Sequence, residues 1–273
     1  MKKTARFLLT AGVTLLALGG VGYWRLHVAW RVPGPGSRIV IPVFALHRVV
    51  PGEATEYVMS PGHLDKLLRE LDKRGYMPVS LDQLEAALRR GGPLPRKPAM
   101  LTFDDAYLDM YEHALPVLKK RGWPAVFFVP TGKITSPPAE RVVWGDGPDP
   151  KAMQWPEVQA MKKAGMEIGS HAWTHINLVK ALPETVKAEL ETSRRMLAEQ
   201  LGAEPIALAY PGGRHNREVR RAAAEAGYRL AFLSGGGPIP LGIDDLSALP
   251  RVHVPGYVDP GAIVRSLPGN EWR

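Results

Sequence analysis

Ala99-Met100-Leu101-Thr102-Phe103-Asp104-Asp105 decides how the chain reads, because a run apolar enough for a buried strand ends abruptly on two carboxylates. Adjacent carboxylates repel each other, and the repulsion is relieved if one holds a cation while the other stays free to take a proton. Acidic residues also cap helices and build turns, so the pair alone leaves that alternative open. Working outward, residues 39–46, 125–129, 167–170, 207–210, 230–233 and 251–254 are further short apolar runs with the character of strands. Between them, residues 61–74, 81–90, 109–121, 155–164, 183–201 and 217–226 have the pattern of amphipathic helices. Each of these helices is followed by a glycine, Gly91 and Gly202 among them, where a left-handed terminal residue is wanted. Strands alternating with helices in this way predict a parallel α/β sheet or barrel.

The strand at 167–170 runs into Ser170-His171-Ala172-Trp173-Thr174-His175. On one helical turn, histidines four apart project from the same side and can bind one metal ion, although two separately satisfied histidines have the same spacing. Both this segment and Asp104-Asp105 follow strands, which in a parallel barrel places them on one catalytic rim. Two histidines and one aspartate leave coordination positions for water and a substrate oxygen, and the unused carboxylate can act as base. That is the equipment for metal-assisted hydrolysis of an amide or ester.

Composition narrows the classes. The chain has 273 residues, 45% of them hydrophobic and 23% charged, values of a globular protein rather than a disordered, collagen-like or polytopic one. It has no cysteine, which excludes disulfides, thiol nucleophiles, thiolate zinc sites and iron–sulfur clusters, so any metal must use His, Asp, Glu or water. The net charge is +8, and Lys2, Lys3, Arg6, Arg25, Arg31 and Arg38 all precede the first acid, Glu53. Later basic residues are interspersed with acids and no nucleic-acid-binding motif is visible, so nucleic acid is not the expected partner.

The early charge frames an apolar run from Phe7 to about Trp24, near the roughly 17 to 25 residues that span a bilayer. Residues 1–31 are expected to be a signal anchor, or a signal peptide cleaved near Ala17-Leu18-Gly19, so that the domain is exported to the cell envelope with the membrane as a partner. Residues 32–37 form a Pro/Gly linker and residues 38–273 the soluble domain. Residues 131–154, rich in Pro and Gly, should form a long loop at one end of the sheet.

Thr102-Phe103-Asp104-Asp105, followed in the right order and strand context by Ser170-His171-Ala172-Trp173-Thr174-His175, resembles the polysaccharide deacetylases with the NodB homology domain, carbohydrate esterase family 4. The resemblance extends over roughly residues 39–256. It implies a distorted (β/α) barrel that removes acetyl groups from N-acetylated sugars. It implies Asp104 as general base and Asp105, His171 and His175 as ligands of a divalent metal, with zinc the expected ion. In Leu208-Ala209-Tyr210-Pro211-Gly212-Gly213, Ala209 stands where many members have an arginine that orients the base, and Gly212 where an aromatic residue is usual. The holding of Asp104 is therefore expected to pass to Arg251, and a backbone N–H near Gly212 to help bind an oxyanion.

Ala45-Leu46-His47-Arg48-Val49 resembles the Tyr-His-x-Val segment of the subgroup acting on poly-β-1,6-N-acetylglucosamine. That makes His47 the expected general acid, with His253 the competitor. Trp144 and Trp173 are candidates for stacking on sugar rings. The implied substrate is an N-acetylglucosamine-containing polysaccharide: exopolysaccharide, peptidoglycan or a chitin-like oligomer. Two rivals remain at this point: a carbohydrate-binding barrel that lost turnover with the arginine, and an amidase acting on a non-sugar C–N bond.

Overall fold

The structure is a computed structural model that describes residues 30–145 and 149–271. The expected anchor, apart from Trp30 and Arg31, lies outside the described residues, and no described helix is long and apolar enough to cross a membrane. Seven parallel strands form a closed barrel: β1 (Val43–Leu46), β2 (Pro98–Asp104), β3 (Val126–Val129), β4 (Glu167–Ser170), β5 (Ala207–Ala209), β6 (Leu230–Gly236) and β7 (Leu249–His253). Each pairs with the next in chain order, and β7 returns to β1 with Val252 opposite Phe44 and His253 opposite Ala45. Around them lie α1 (Pro61–Lys73), α2 (Leu81–Arg90), α3 (Leu115–Arg121), α4 (Trp155–Lys163), α5 (Pro183–Leu201), α6 (Arg217–Glu225) and α7 (Pro260–Ser266). The expected α/β barrel is the fold.

Alternation along the strands sorts the core into layers. Val43, Met100, Val126, Phe128, Ala209 and Phe232 belong to one buried cluster. Phe44, Leu101, Phe103 and Phe127, one residue out of phase, pack with residues of α1, α3 and α4, while Leu208 and Ala231 meet α5 and α6. Thr102 and Asp104 continue the period-two column of Met100, so the column that is apolar at the base becomes polar at the C-terminal rim.

Three local departures from expectation have physical reasons. The run 39–46 breaks at Pro42, which has no N–H for a ladder; Val40–Ile41 pairs antiparallel with Ile239–Pro240, and only Val43–Leu46 enters the barrel. The helix expected at 109–121 begins as a π-helical turn, Met110–Ala114, because Pro116 cannot donate the bond that would carry an α-helical ladder through it. Helix α7, packed on α1, is only seven residues long and opens with Pro-Gly, a composition that reads as a turn.

At the base of the barrel, Glu167 accepts the Leu81 N–H that opens α2, at 3.1 and 3.2 Å, yet burial pushes its carboxyl up to about 7. An acid raised in the folded state stabilises below its unfolded pKa, and that contribution is lost as pH rises through 7. Glu167→Gln is therefore expected to flatten the decline in thermal stability between pH 4.5 and 7. Parallel curves for the two proteins would refute this.

Candidate metal centre and catalytic cleft

The C-terminal rim opens on a cleft of about 800 Å³ lined by His47, Asp104, Asp105, His171, His175 and His253 among others. Parallel pairing explains the convergence, since β1, β2, β4 and β7 all end there. The two adjacent carboxylates separate at once. Asp104 is the last residue of β2 and points into the barrel, whereas Asp105 has φ 81° and Ala106 φ 55°, a left-handed turn that aims the second carboxylate elsewhere.

Arg251 meets Asp104 as a fork: Nη1 donates to Oδ1 at 2.8 Å and Nη2 to Oδ2 at 2.6 Å. Nη1 also donates to Thr102 Oγ1 at 2.8 Å, Nε to the Leu233 carbonyl, and the guanidinium lies 5.6 Å over the Phe128 ring. Both side chains are buried. Burial alone would raise the Asp104 pKa, but the Arg251 charge and hydrogen bonds outweigh it and hold the carboxyl below its ordinary value. Ala209, which lacks the side chain that many relatives are expected to use here, contributes its backbone instead: its carbonyl accepts from His171 Nδ1 at 2.7 Å.

That bond leaves His171 Nε2 facing Asp105 Oδ1 at 3.4 Å, and His175 Nε2 lies 3.2 Å from the same oxygen. One ligand atom from each of Asp105, His171 and His175 falls within 4.8 Å of the others. Two imidazoles and a carboxylate suit a divalent ion such as zinc. The buried Nε2 of His175 has no hydrogen-bond partner among the described residues, which is the orphan a metal would satisfy. Burial raises the Asp105 carboxyl, but the two histidines more than reverse this and hold it well below the usual carboxylate range.

The histidine pair converges by a route other than the helical turn its spacing suggests. Residues 171–175 form a loop in which Ala172 has φ 62° and His175 φ 66°. Asp105, Ala106, Ala172 and His175 are four of the five described non-glycine residues with positive φ, so backbone strain concentrates at this site.

What secures the loop is Glu189 of α5, absent from the sequence reading. Its buried carboxylate accepts from Trp173 N–H at 2.9 Å, Thr174 N–H at 2.8 Å and the Thr174 hydroxyl, all between the two histidines. Glu189→Ala is expected to weaken binding of a divalent metal by about 10- to 100-fold, the range for a lost outer-shell partner. Chelator competition measures this, and unchanged affinity would leave Glu189 a packing role only.

One wall of the cleft is a stack. Arg48, whose Nε donates to Asp109 Oδ2 at 2.8 Å, lies 4.9 Å over the Tyr107 ring. Tyr107 stacks on Trp144 at 5.3 Å, and Trp144 meets His175 edge-on at 5.1 Å. Trp144 thus brings the long loop to the site; Trp173 is 39% exposed and is not among the lining residues. On the other side His47 makes no hydrogen bond to a described residue and meets Tyr57 edge-on at 4.9 Å. His253 Nε2 is bonded to Glu56 Oε1 at 2.7 Å, and Glu56 also accepts from the Tyr257 hydroxyl at 2.9 Å. Gly212 lines the cleft at a turn with φ 61°.

A family profile described as polysaccharide deacetylase matches residues 91–231. YxkH of Bacillus subtilis strain 168 is 25% identical over 197 residues, 72% of this chain and 65% of its own length. The poly-β-1,6-N-acetyl-D-glucosamine N-deacetylase of Escherichia coli K12 is 37% identical over 107 residues, 38% of this chain and 16% of its own length. The chain therefore spans less than two thirds of either relative. Among solved structures, Streptococcus pyogenes deacetylase PplD in complex with acetate has a TM-score of 0.74 at 25% identity, covering 85% of this chain and 99% of that one. IcaB from Ammonifex degensii has a TM-score of 0.71 at 25% identity, covering 83% and 97%.

Proposed function

The chain belongs to the polysaccharide deacetylase family, and from that premise we propose that its cleft removes N-acetyl groups from an N-acetylglucosamine polymer in a metal-dependent hydrolysis. The observation that carries the reading is the convergence of Asp105, His171 and His175 beside a separate carboxylate, Asp104, fixed by Arg251. A divalent ion held by those three ligands would polarise the acetyl carbonyl and lower the pKa of a water molecule. Asp104, kept ionised by Arg251, takes the proton of the attacking water. His47, open to the cleft, gives a proton to the departing amine, so acetate and a free amino sugar leave. The Gly212 N–H is the proposed donor to the developing oxyanion, since the Gly213 and Arg214 N–H groups are bonded within the turn, while Trp144, stacked on Tyr107 with Lys133 Nζ 5.4 Å over its ring, shapes the cleft wall.

Poly-β-1,6-N-acetylglucosamine is the favoured polymer, supported by the activity for which the Escherichia coli relative is named and by the His47-Arg48-Val49 segment. Such a polymer lies outside the cytoplasm, which agrees with the basic and apolar sequence at residues 1–31 and with an exported, membrane-anchored chain. The fork from Arg251 also removes the ground for a barrel without turnover, since Asp104 is held although residue 209 is alanine.

The test is acetate release by the full chain from poly-β-1,6-N-acetylglucosamine, peptidoglycan and chitooligosaccharides, before and after chelation. Release that stops on chelation and returns with zinc is expected, strongest on the first polymer. Equal release with metal confirmed absent would overturn the mechanism, and activity confined to small non-sugar amides would overturn the substrate.

A further inference from the structure

The end of the barrel away from the cleft is basic, and the described chain enters there. Because the seven strands are parallel, their starts share one face; helices such as α1 run back to deliver their C-termini to it, and α2 begins there as well, at the bond between Leu81 and Glu167. Main-chain bonds join its parts: Arg31 and Leu94 exchange two bonds of 2.9 Å, and Arg38 pairs with Glu271 at 2.9 and 2.8 Å. Lys97, one residue before β2, donates Nζ to the carbonyl of Arg74 at the end of α1, at 2.8 Å. Arg90 ends α2, and Arg96 accepts at its carbonyl from Asn270.

Arg31, Arg38, Arg74, Arg90, Arg96 and Lys97 thus share this face, and all but Lys97 are exposed. Acids stand there too but are fewer: exposed Glu271 pairs its backbone with Arg38, Glu85 lies 3.0 Å from Arg89 and 3.2 Å from Arg229, Asp82 lies 3.5 Å from Arg229, and Glu204 lies 2.6 Å from Arg194. The cleft at the opposite end carries Glu53, Glu56 and Asp105 beside Arg48, with Asp104 paired to Arg251, so the excess of positive charge lies at the base and not at the cleft. Trp30, 40% exposed, and Val32, 68% exposed, flank Arg31 on the basic side, and the apolar run ending near Trp24 precedes them in sequence.

We propose that this basic face docks on an anionic lipid bilayer and holds the barrel with its cleft turned away from the membrane. Clustered Lys and Arg beside an apolar segment are drawn to anionic headgroups over about a Debye length, and an exposed tryptophan suits the interface. Such an orientation points the site at a polymer lying beyond the membrane rather than at lipid. The docking is independent of which amide the cleft hydrolyses, so failure of the deacetylase reading would not touch it.

The absence of cysteine makes the test direct, because a single introduced thiol labels one site. Ala203→Cys places a fluorophore at the same end of the barrel, in a groove with Asp82, Lys162 and Glu204 and outside the arginine cluster, and Ala54→Cys places one beside the cleft, between Glu53 and Thr55. Full-length protein would be reconstituted in phosphatidylcholine vesicles with or without phosphatidylglycerol, and energy transfer to a headgroup-labelled lipid measured from each site. With phosphatidylglycerol, transfer from position 203 should exceed that from position 54 by about two-fold or more, as attraction by an anionic surface requires. The difference should collapse without the anionic lipid, at about 0.5 M salt where screening is short, and in the Arg90→Glu/Arg96→Glu variant, with acetate release per folded molecule unchanged. A difference indifferent to lipid charge, a chain that does not float with anionic vesicles, or equally tight binding of the detergent-solubilised protein to DNA or polyphosphate would each overturn the proposal.

Discussion

Asp104→Asn is expected to keep a bound divalent ion while losing turnover by roughly 100- to 10,000-fold, the range for a lost general acid or base. Both oxygens of Asp104 are occupied by the Arg251 fork, so this carboxylate cannot swing to the metal ligands without breaking two short, charge-assisted bonds. Asp105 is the reverse case, with one oxygen facing both His171 Nε2 and His175 Nε2. Asp105→Ala should therefore lose the ion and the activity together. The amide at 104 also leaves a buried guanidinium poorly matched, a change that lowers stability by about 3 to 5 kcal/mol when one partner of such a pair is removed. Metal content and acetate release should for that reason be measured on both variants well below the lowered midpoint. Equal metal loss in the two would show that the carboxylates do not divide the work, and full turnover in Asp104→Asn would remove it as the base.

Strands were legible in the sequence because each apolar run is short and bounded, and all seven barrel strands fall inside or across the runs that composition marks out. Asp104, Asp105, His171 and His175 were legible for a related reason: chemistry at strand ends follows from parallel topology, which alternating elements already imply. The means of convergence was not legible. A spacing of four suits a helical turn, but the loop uses two left-handed non-glycine residues that no local preference predicts and that Glu189, many residues away on α5, stabilises through backbone N–H groups. A buried glutamate on an amphipathic helix looks in sequence like any solvated one, so only the fold reveals its partners. Arg251 stood between these cases. The alanine at 209 pointed to Arg251 as the holder of the base, whereas the fork geometry and the bond to Thr102 required the closed barrel.

His47→Ala is expected to lower turnover by roughly 100- to 10,000-fold with metal content unchanged, and His253→Ala to cost less. The two rings lie 6.3 Å apart across the same side of the cleft, so position alone does not separate them. Their partners do. His253 has Nε2 committed to Glu56 at the rim, where the same carboxylate ties Tyr257, an arrangement that fixes a cleft wall. His47 has both ring nitrogens free of described partners and sits one residue beyond β1, beside Asp104, Asp105 and Arg251 in the electrostatics of the site. Burial lowers its pKa first, with Arg251 and His171 adding to the effect against Asp104 and Asp105, so the net position is below an ordinary imidazole. The lowered value favours the neutral ring in the resting site, so His47 acts as acid only after taking up a proton in the catalytic cycle, and the imidazolium then formed is a strong donor to a departing amine that would otherwise leave as a poor anion. Loss of that donor slows bond cleavage without touching the three ligands, whereas loss of the His253–Glu56 contact loosens the wall and should appear chiefly in KM. Measuring kcat and KM for both variants at saturating zinc on one oligosaccharide distinguishes these outcomes. A larger fall in kcat for His253→Ala than for His47→Ala would transfer the acid role to the Glu56-held histidine and weaken the link to the poly-β-1,6-N-acetylglucosamine subgroup, which rests partly on the His47 segment.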